Sequence, residues 1–202
     1  KYIDKNYDAI NKWKELPGCS LQLQQRIHLY LAKLGLLHPN KVLADLESPY
    51  PLIKGAAILV LRHSVANINT QELMSHHTLA QKHLQQLLDS PEEPDVCLGL
   101  QILCLERQSI PITTLLPYLK NSSLSIARHG AKVLACTAAP NQKNLTTSLI
   151  EIFSSRKDSL FRLDCLQALS KTFSSTYTID LLLACEHILP KERRFVEKIL
   201  FN

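Results

Sequence analysis

The stretch Leu115–Ala138, LLPYLKNSSLSIARHGAKVLACTA, holds two apolar runs separated by the polar turn Lys120–Ser123. In the second run Ala127, Gly130, Ala131, Leu134 and Ala138 recur three and four residues apart, which predicts a helix with one apolar stripe. Arg128 and Lys132 fall on its other side. The first run, with Ile112, Leu115, Leu116 and Leu119, has the same spacing. Pro111 suits its opening turn, whereas Pro117 should bend or loosen it. Two short helices joined by a tight polar turn make a helical hairpin.

The same pair recurs along the chain. Val42, Leu43 and Leu46 precede Ile53, Ala56, Ala57, Val60 and Leu61; Leu84, Leu87 and Leu88 precede Val96, Gly99, Leu100 and Leu103. Leu149, Ile152 and Phe153 precede Phe161, Cys165, Leu166, Leu169 and Phe173. Second helices are thus expected to open at Ile53, Val96, Ala127 and Phe161, with weaker copies at Leu23 and Phe195. The steps run from roughly 30 to 43 residues, the range of repeats whose single units cannot bury their own apolar faces. The long step contains TQELMSHHTLAQKH, which reads as an insertion or a lengthened first helix. Gly55, Ala56, Ala57, Gly99, Gly130 and Ala131 are expected in the first turns of second helices. Gly inside a helix costs about 1 kcal/mol relative to Ala, so its return at one place points to close packing of a neighbouring helix.

Composition agrees with an all-α chain. Of 202 residues 46% are hydrophobic and only 5 are Gly, and no run alternates in the manner of a strand. A net charge of +5 is mildly basic, less than a dedicated nucleic-acid binder carries. The six cysteines, Cys19, Cys97, Cys104, Cys136, Cys165 and Cys185, form no C-x-x-C pair and mostly lie in apolar stripes. That usage fits a reducing, cytoplasmic compartment. No apolar run reaches the ~18 residues of a membrane span, so no direct membrane insertion is expected. The first residue is Lys1 rather than Met, which suggests a piece of a longer protein.

At this point the chain resembles the HEAT-repeat family of armadillo-type α-solenoids. In that family the first helix of each hairpin is often kinked by proline, an acidic or amide residue follows in the turn, and an apolar–Arg pair opens the second helix. Here Asn121 and Arg128, Ser155 and Arg162, and Glu47 and Lys54 each stand seven residues apart; the unit with Asp89 departs, carrying Cys97 at the basic place. The resemblance covers residues 39–173, with 1–38 and 174–202 as capping or partial repeats. It implies one solenoid domain over 1–202, an α-α superhelix of about five to six hairpins. It also implies a structural ladder between successive repeats built from Lys54, Arg128, Arg162, Glu47 and Asn121.

The candidate binding residues are a concave stripe of Arg62, Arg107, Arg128, Lys132, Arg162 and Lys171, suited to a protein partner of acidic character. Asp158 and Asp164 dilute the stripe, and Trp13 is the sole tryptophan, so no phosphate track with stacking aromatics is expected. His76, His77 and His83 read as a solvated polar face rather than a zinc site, because no further ligand stands at helical spacing. Glu186–His187 does not match the repeated His–Glu pairs of HEAT-repeat di-iron hydroxylases. With no nucleophile–base–acid set and no Gly-rich phosphate loop, no metal, no cofactor and no catalysis are expected. The expected function is a non-enzymatic protein-interaction scaffold or regulatory module. The alternative is a nucleic-acid binder of the HEAT-like DNA glycosylase type, for which Asp164 beside Arg162 is the nearest approach to a catalytic carboxylate; a chromophore-lyase-like solenoid is a third, weaker idea. The sequence leaves partner identity and oligomeric state open.

Overall fold

Two of the helices begin where a side chain satisfies a free amide. Ser123 accepts from the Ile126 amide at 3.4 Å and Asp158 from the Phe161 amide at 2.8 Å, starting two of the second helices. The computed structural model describes Ser20, Leu23 and residues 39–64, 71–106, 110–138 and 143–201. These form α1 (Pro39–Asp45), α2 (Pro51–Ser64), α3 (Gln71–Leu88), α4 (Glu93–Glu106), α5 (Ile112–Leu119), α6 (Leu124–Thr137), α7 (Lys143–Ser155), α8 (Ser159–Thr172), α9 (Thr178–Ala184) and α10 (Pro190–Phe201). A single 3-10 turn, Ser175–Tyr177, precedes α9, and the described residues contain no strand.

All four strongly patterned second helices appear, as α2, α4, α6 and α8, each opening two or three residues earlier than the apolar pattern suggests. Each helix thus starts with exposed or half-buried residues before its first buried side chain. Phe195, where a weaker copy is expected to open, is instead the sixth residue of α10, which begins at Pro190. Of the copy at Leu23 only Ser20 and Leu23 are described; Leu23 is helical and its amide donates to Ser20 Oγ at 3.2 Å. From Gln71 onward the TQELMSHHTLAQKH segment is part of α3, a lengthened first helix; Thr70 lies outside the described residues.

The chain divides into two compact units, residues 1–105 and 106–202. In the first, one apolar cluster joins Val42 and Leu46 of α1, Ala56–Leu61 of α2, Ala80, Leu84 and Leu87 of α3, and Leu98 and Ile102 of α4. In the second, α8 lies at the centre, packed against α6, α7 and α10, while α5 packs on α6 and α9 on α7. Because helices cover it from several directions, α8 buries Phe161, Arg162, Cys165, Leu166, Ala168, Leu169 and Thr172 rather than a single stripe.

The recurring glycines have a steric cause. A Cβ on Gly130 would stand 3.3 Å from Tyr118 Cβ and 3.5 Å from the Leu119 amide nitrogen of α5. On Gly99 it would stand 2.8 Å from Leu88 Cδ2 of α3. Both glycines lie in the second turn of their helix rather than the first, where the end of the preceding helix crosses most closely. Pro117 is accommodated because α5 is only 8 residues long and the residues around it are partly exposed.

Candidate functional site

In the second unit, the basic residues of the second helices reach from one helix to the next. Arg128 projects from α6 to Asp158, the N-cap of α8. Its Nε donates to Oδ1 at 2.9 Å and its Nη2 to Oδ2 at 2.5 Å. Asp158 therefore has two duties, holding the first turn of α8 and fastening α6 to it. The Arg128 hydrogen bonds bring the Asp158 carboxyl down to about 2, with the Phe161 amide adding to that effect and partial burial opposing it. The same contact raises the Arg128 guanidinium above its ordinary value.

Arg162 repeats the arrangement one hairpin later. Its Nε donates to Glu192 Oε1 at 3.0 Å, and Nη2 lies 3.0 Å from Oε2. Glu192 Oε2 also accepts from the Leu189 amide at 3.2 Å, at the start of α10. The Glu192 side chain is fully buried and Arg162 is 8% exposed, with the guanidinium 4.0 Å from the centre of the Phe153 ring. Water is thus excluded from this second rung.

Asn121 belongs to the same seam through different atoms. Its side-chain oxygen accepts from the Ser123 amide at 2.8 Å, and its main-chain carbonyl accepts from Arg156 in the following turn. Arg156 also packs 5.5 Å from the centre of Phe161. An open cleft of about 560 Å³, lined by Lys120, Glu151, Ile152, Ser155 and Arg156, lies beside these turns.

The other candidates divide between the two units. Lys132 is exposed and acts electrostatically on half-buried Asp164, whose carboxyl is raised by burial and lowered in part by Lys132. Lys171 Nζ donates to the Ala135 carbonyl in the last turn of α6 at 2.5 Å, so it closes the far end of the α6–α8 seam. In the first unit Arg62 and Lys54 are half-buried on α2. Glu47 Oε1 lies 3.5 Å from His83 Nε2, which joins the α1–α2 turn to α3. Arg107 lies outside the described residues, as do Cys19, Trp13 and the side chain of His76.

The sequence points to the basic members of both rungs and not to their acceptors. Asp158 carries a usable signal, an N-cap residue three before Phe161 and four before Arg162. Glu192 carries none by itself; only the 30-residue offset it shares with Asp158 relates it to its arginine.

Burial pushes the Cys165 thiol well up, with Asp164 adding to it, and burial likewise raises Cys185. Both remain neutral thiols near pH 7. Among the described residues no His, Cys, Asp and Glu side chains gather into a group able to hold a metal ion, and no helix is long and apolar enough to cross a membrane.

The class defined by these features is an all-helical protein whose second unit is cross-braced between alternate helices, α6 to α8 and α8 to α10. No protein-family model and no curated protein sequence matches the chain. Among solved structures it is similar to an engineered protein known from a crystal structure, with a TM-score of 0.51 and 14% identity over 96% of this chain and 95% of that one. Identity that low bears on the fold alone.

Proposed function

We propose that the chain is a HEAT-type α-solenoid acting as a non-enzymatic protein-interaction scaffold or regulatory module. The observation that carries this reading is the pair of rungs Arg128–Asp158 and Arg162–Glu192, which recur at one offset and tie α6 to α8 and α8 to α10. Such nearest-neighbour bracing is what a stack of hairpins needs, since each unit relies on the next to cover its apolar face. The buried neutral thiols accord with a reducing, cytoplasmic setting.

The rungs also narrow the proposed binding surface. Arg162 is committed to the interior, whereas Lys132 is exposed and Arg128 is half-exposed, with Lys171 between surface and seam. The second-helix face around Lys132 is the proposed approach route for an acidic protein segment. Exposed cations of this kind speed encounter more than they add affinity.

Affinity capture from lysate with and without nuclease, using the wild type and Lys132→Glu, tests this reading. Partners retained after nuclease and captured more slowly by Lys132→Glu support the scaffold. Recovery that depends on nucleic acid and survives physiological salt supports the nucleic-acid reading instead, because phosphate contacts add a steep salt dependence of about −0.9 per contact in log–log form.

A further inference from the structure

Among the described residues, three carboxylates along the α6–α8 and α8–α10 seams are withdrawn from water: Asp158, Asp164 and Glu192. Asp158 takes the Arg128 guanidinium and the Phe161 amide, and Glu192 takes Arg162 and the Leu189 amide. Asp164 differs. It is half-buried, yet no described side chain or amide donates a hydrogen bond to it. Its carboxyl stays above the ordinary value because burial outweighs the pull of Lys132. A partly desolvated acceptor without a donor is unusual in a folded chain and calls for a partner.

Asp164 lies midway along the α6–α8 seam. Arg128 reaches Asp158, Lys132 acts on Asp164 and Lys171 bonds the Ala135 carbonyl, and these contacts follow one order along both helices. On α8, Leu160, Asp164, Gln167 and Lys171 fall on one helical face. Gln167 and Lys171 are exposed, and Leu160, one turn before Asp164, is 57% exposed. Phe161, Cys165, Leu166 and Leu169, on the other side, are buried.

The charges around Asp164 decide what can approach it. Arg128 is neutralised by Asp158, and the His129 ring turns back on its own helix, with Nδ1 2.9 Å from the Ser125 carbonyl oxygen. Lys132, Asp164 and Lys171 therefore set the outward charge of the seam, two cations with one anion. A wholly acidic segment laid along it would bring a carboxylate against Asp164, where donors are already lacking. A segment with one cation at that point meets no such repulsion. Arginine suits the place better than lysine. Its guanidinium is more weakly hydrated, offers two parallel N–H groups to one carboxylate, and carries a stem able to lie on Leu160.

We propose that the α6–α8 face docks a mixed-charge segment of a partner protein, in which an arginine donates to Asp164 beside Leu160 and a neighbouring carboxylate meets Lys132. The assignment rests on the scaffold reading of the Lys132 face and adds to it the side chain that selects the partner.

The probe is a phage-displayed library of random peptides, depleted on Lys132→Glu and then panned on the immobilised wild-type full chain. Retained peptides are synthesised with a fluorescent label, and their affinity is read by anisotropy. They are expected to contain an arginine together with a carboxylate. Asp164→Asn should weaken them by about tenfold or more, and Asp164→Glu should keep most of the affinity. Replacing the peptide arginine with glutamine should cost about tenfold with the wild type and little with Asp164→Asn, the sign of direct coupling. The Asp164→Asn chain should unfold at the wild-type midpoint or above it, because the charge removed has no donor within the fold.

Retained peptides that lack arginine, equal binding to wild type and Asp164→Asn, or additive effects of the two replacements overturn the inference and leave the scaffold reading standing. A lowered unfolding midpoint in Asp164→Asn also overturns it, since the carboxylate would then be satisfied inside the fold. If no binder survives the depletion, the inference falls, and the lysate capture decides the scaffold reading by itself. Coupling between the peptide arginine and Asp164, found where the lysate yields no partner, supports the docking site and counts against the scaffold reading alone.

Discussion

Two rungs of the second unit use the same chemistry at the same sequence offset and live in opposite surroundings. Arg128 reaches Asp158 across the α6–α8 seam with its side chain 39% exposed, whereas Arg162 reaches a fully buried Glu192 across the α8–α10 seam beneath the Phe153 ring. In the first rung water competes for both partners, and the carboxylate has a second duty as N-cap. In the second, each ion is the other's main compensation for having left water. The two sets of contacts look alike, but depth decides what happens when one partner is removed.

The sharpest break should come at the buried rung. Glu192→Ala leaves the Arg162 guanidinium desolvated and the Leu189 amide without its acceptor, so a loss of about 3–5 kcal/mol is expected in denaturant unfolding. A loss below about 1 kcal/mol would mean that Arg162 swings out to solvent and that the rung is not sealed. Replacing both partners with apolar residues, Arg162→Met with Glu192→Leu, should recover most of that loss, because no charge is then left buried. If the double variant is no more stable than Glu192→Ala, the pair contributes through specific geometry rather than through mutual compensation.

The exposed rung should respond less and in a different pattern. Asp158→Ala removes the cap of α8 together with the ion pair and should cost about 1–2 kcal/mol. Asp158→Asn keeps a capping oxygen and loses only the charge, so it should cost clearly less. Equal losses in the two variants would assign the whole effect to the pairing with Arg128.

The smallest expected effect is in pH dependence. The Asp158 carboxyl is held at about 2, chiefly by Arg128. A carboxyl depressed in the folded state stabilises above its unfolded value near 4, and that contribution is lost as pH falls from about 4 through about 2. The stability gap between wild type and Asp158→Asn should therefore be constant near neutrality and close over that acid window. A gap that stays open at the bottom of the window would show that the difference does not come from titration of Asp158.

Much of the local architecture is legible in the amino-acid sequence. The period of Ala127, Gly130, Ala131 and Leu134 identifies α6, and the same pattern identifies α2, α4 and α8, because helix burial imprints a 3.6-residue period on adjacent positions. The glycines at 99 and 130 signal close helix crossings, although the contacted residues, Leu88 and Tyr118, lie in the preceding helix. Arg128 and Arg162 are recognisable as bracing positions, and Asn121 as a turn residue on the seam. Lys171 reads as a surface cation, yet its ammonium is bonded to the Ala135 carbonyl. Nothing near it in sequence indicates that, since the acceptor is 36 residues away.

Short-range order is therefore written into the chain itself: which segments are helical, where hairpins turn, and which faces must be covered. These follow from spacing and capping over a few residues, and each segment carries its own signal. Packing assigns what spacing leaves open, namely that Arg128 takes Asp158 at the surface while Arg162 takes Glu192 in the interior. An ion pair between hairpins depends on which helices lie side by side and on how much water their neighbours exclude. Both are properties of the assembled unit, and the residues that set them, such as Phe153 over Arg162, are distant in sequence from the pair they seal.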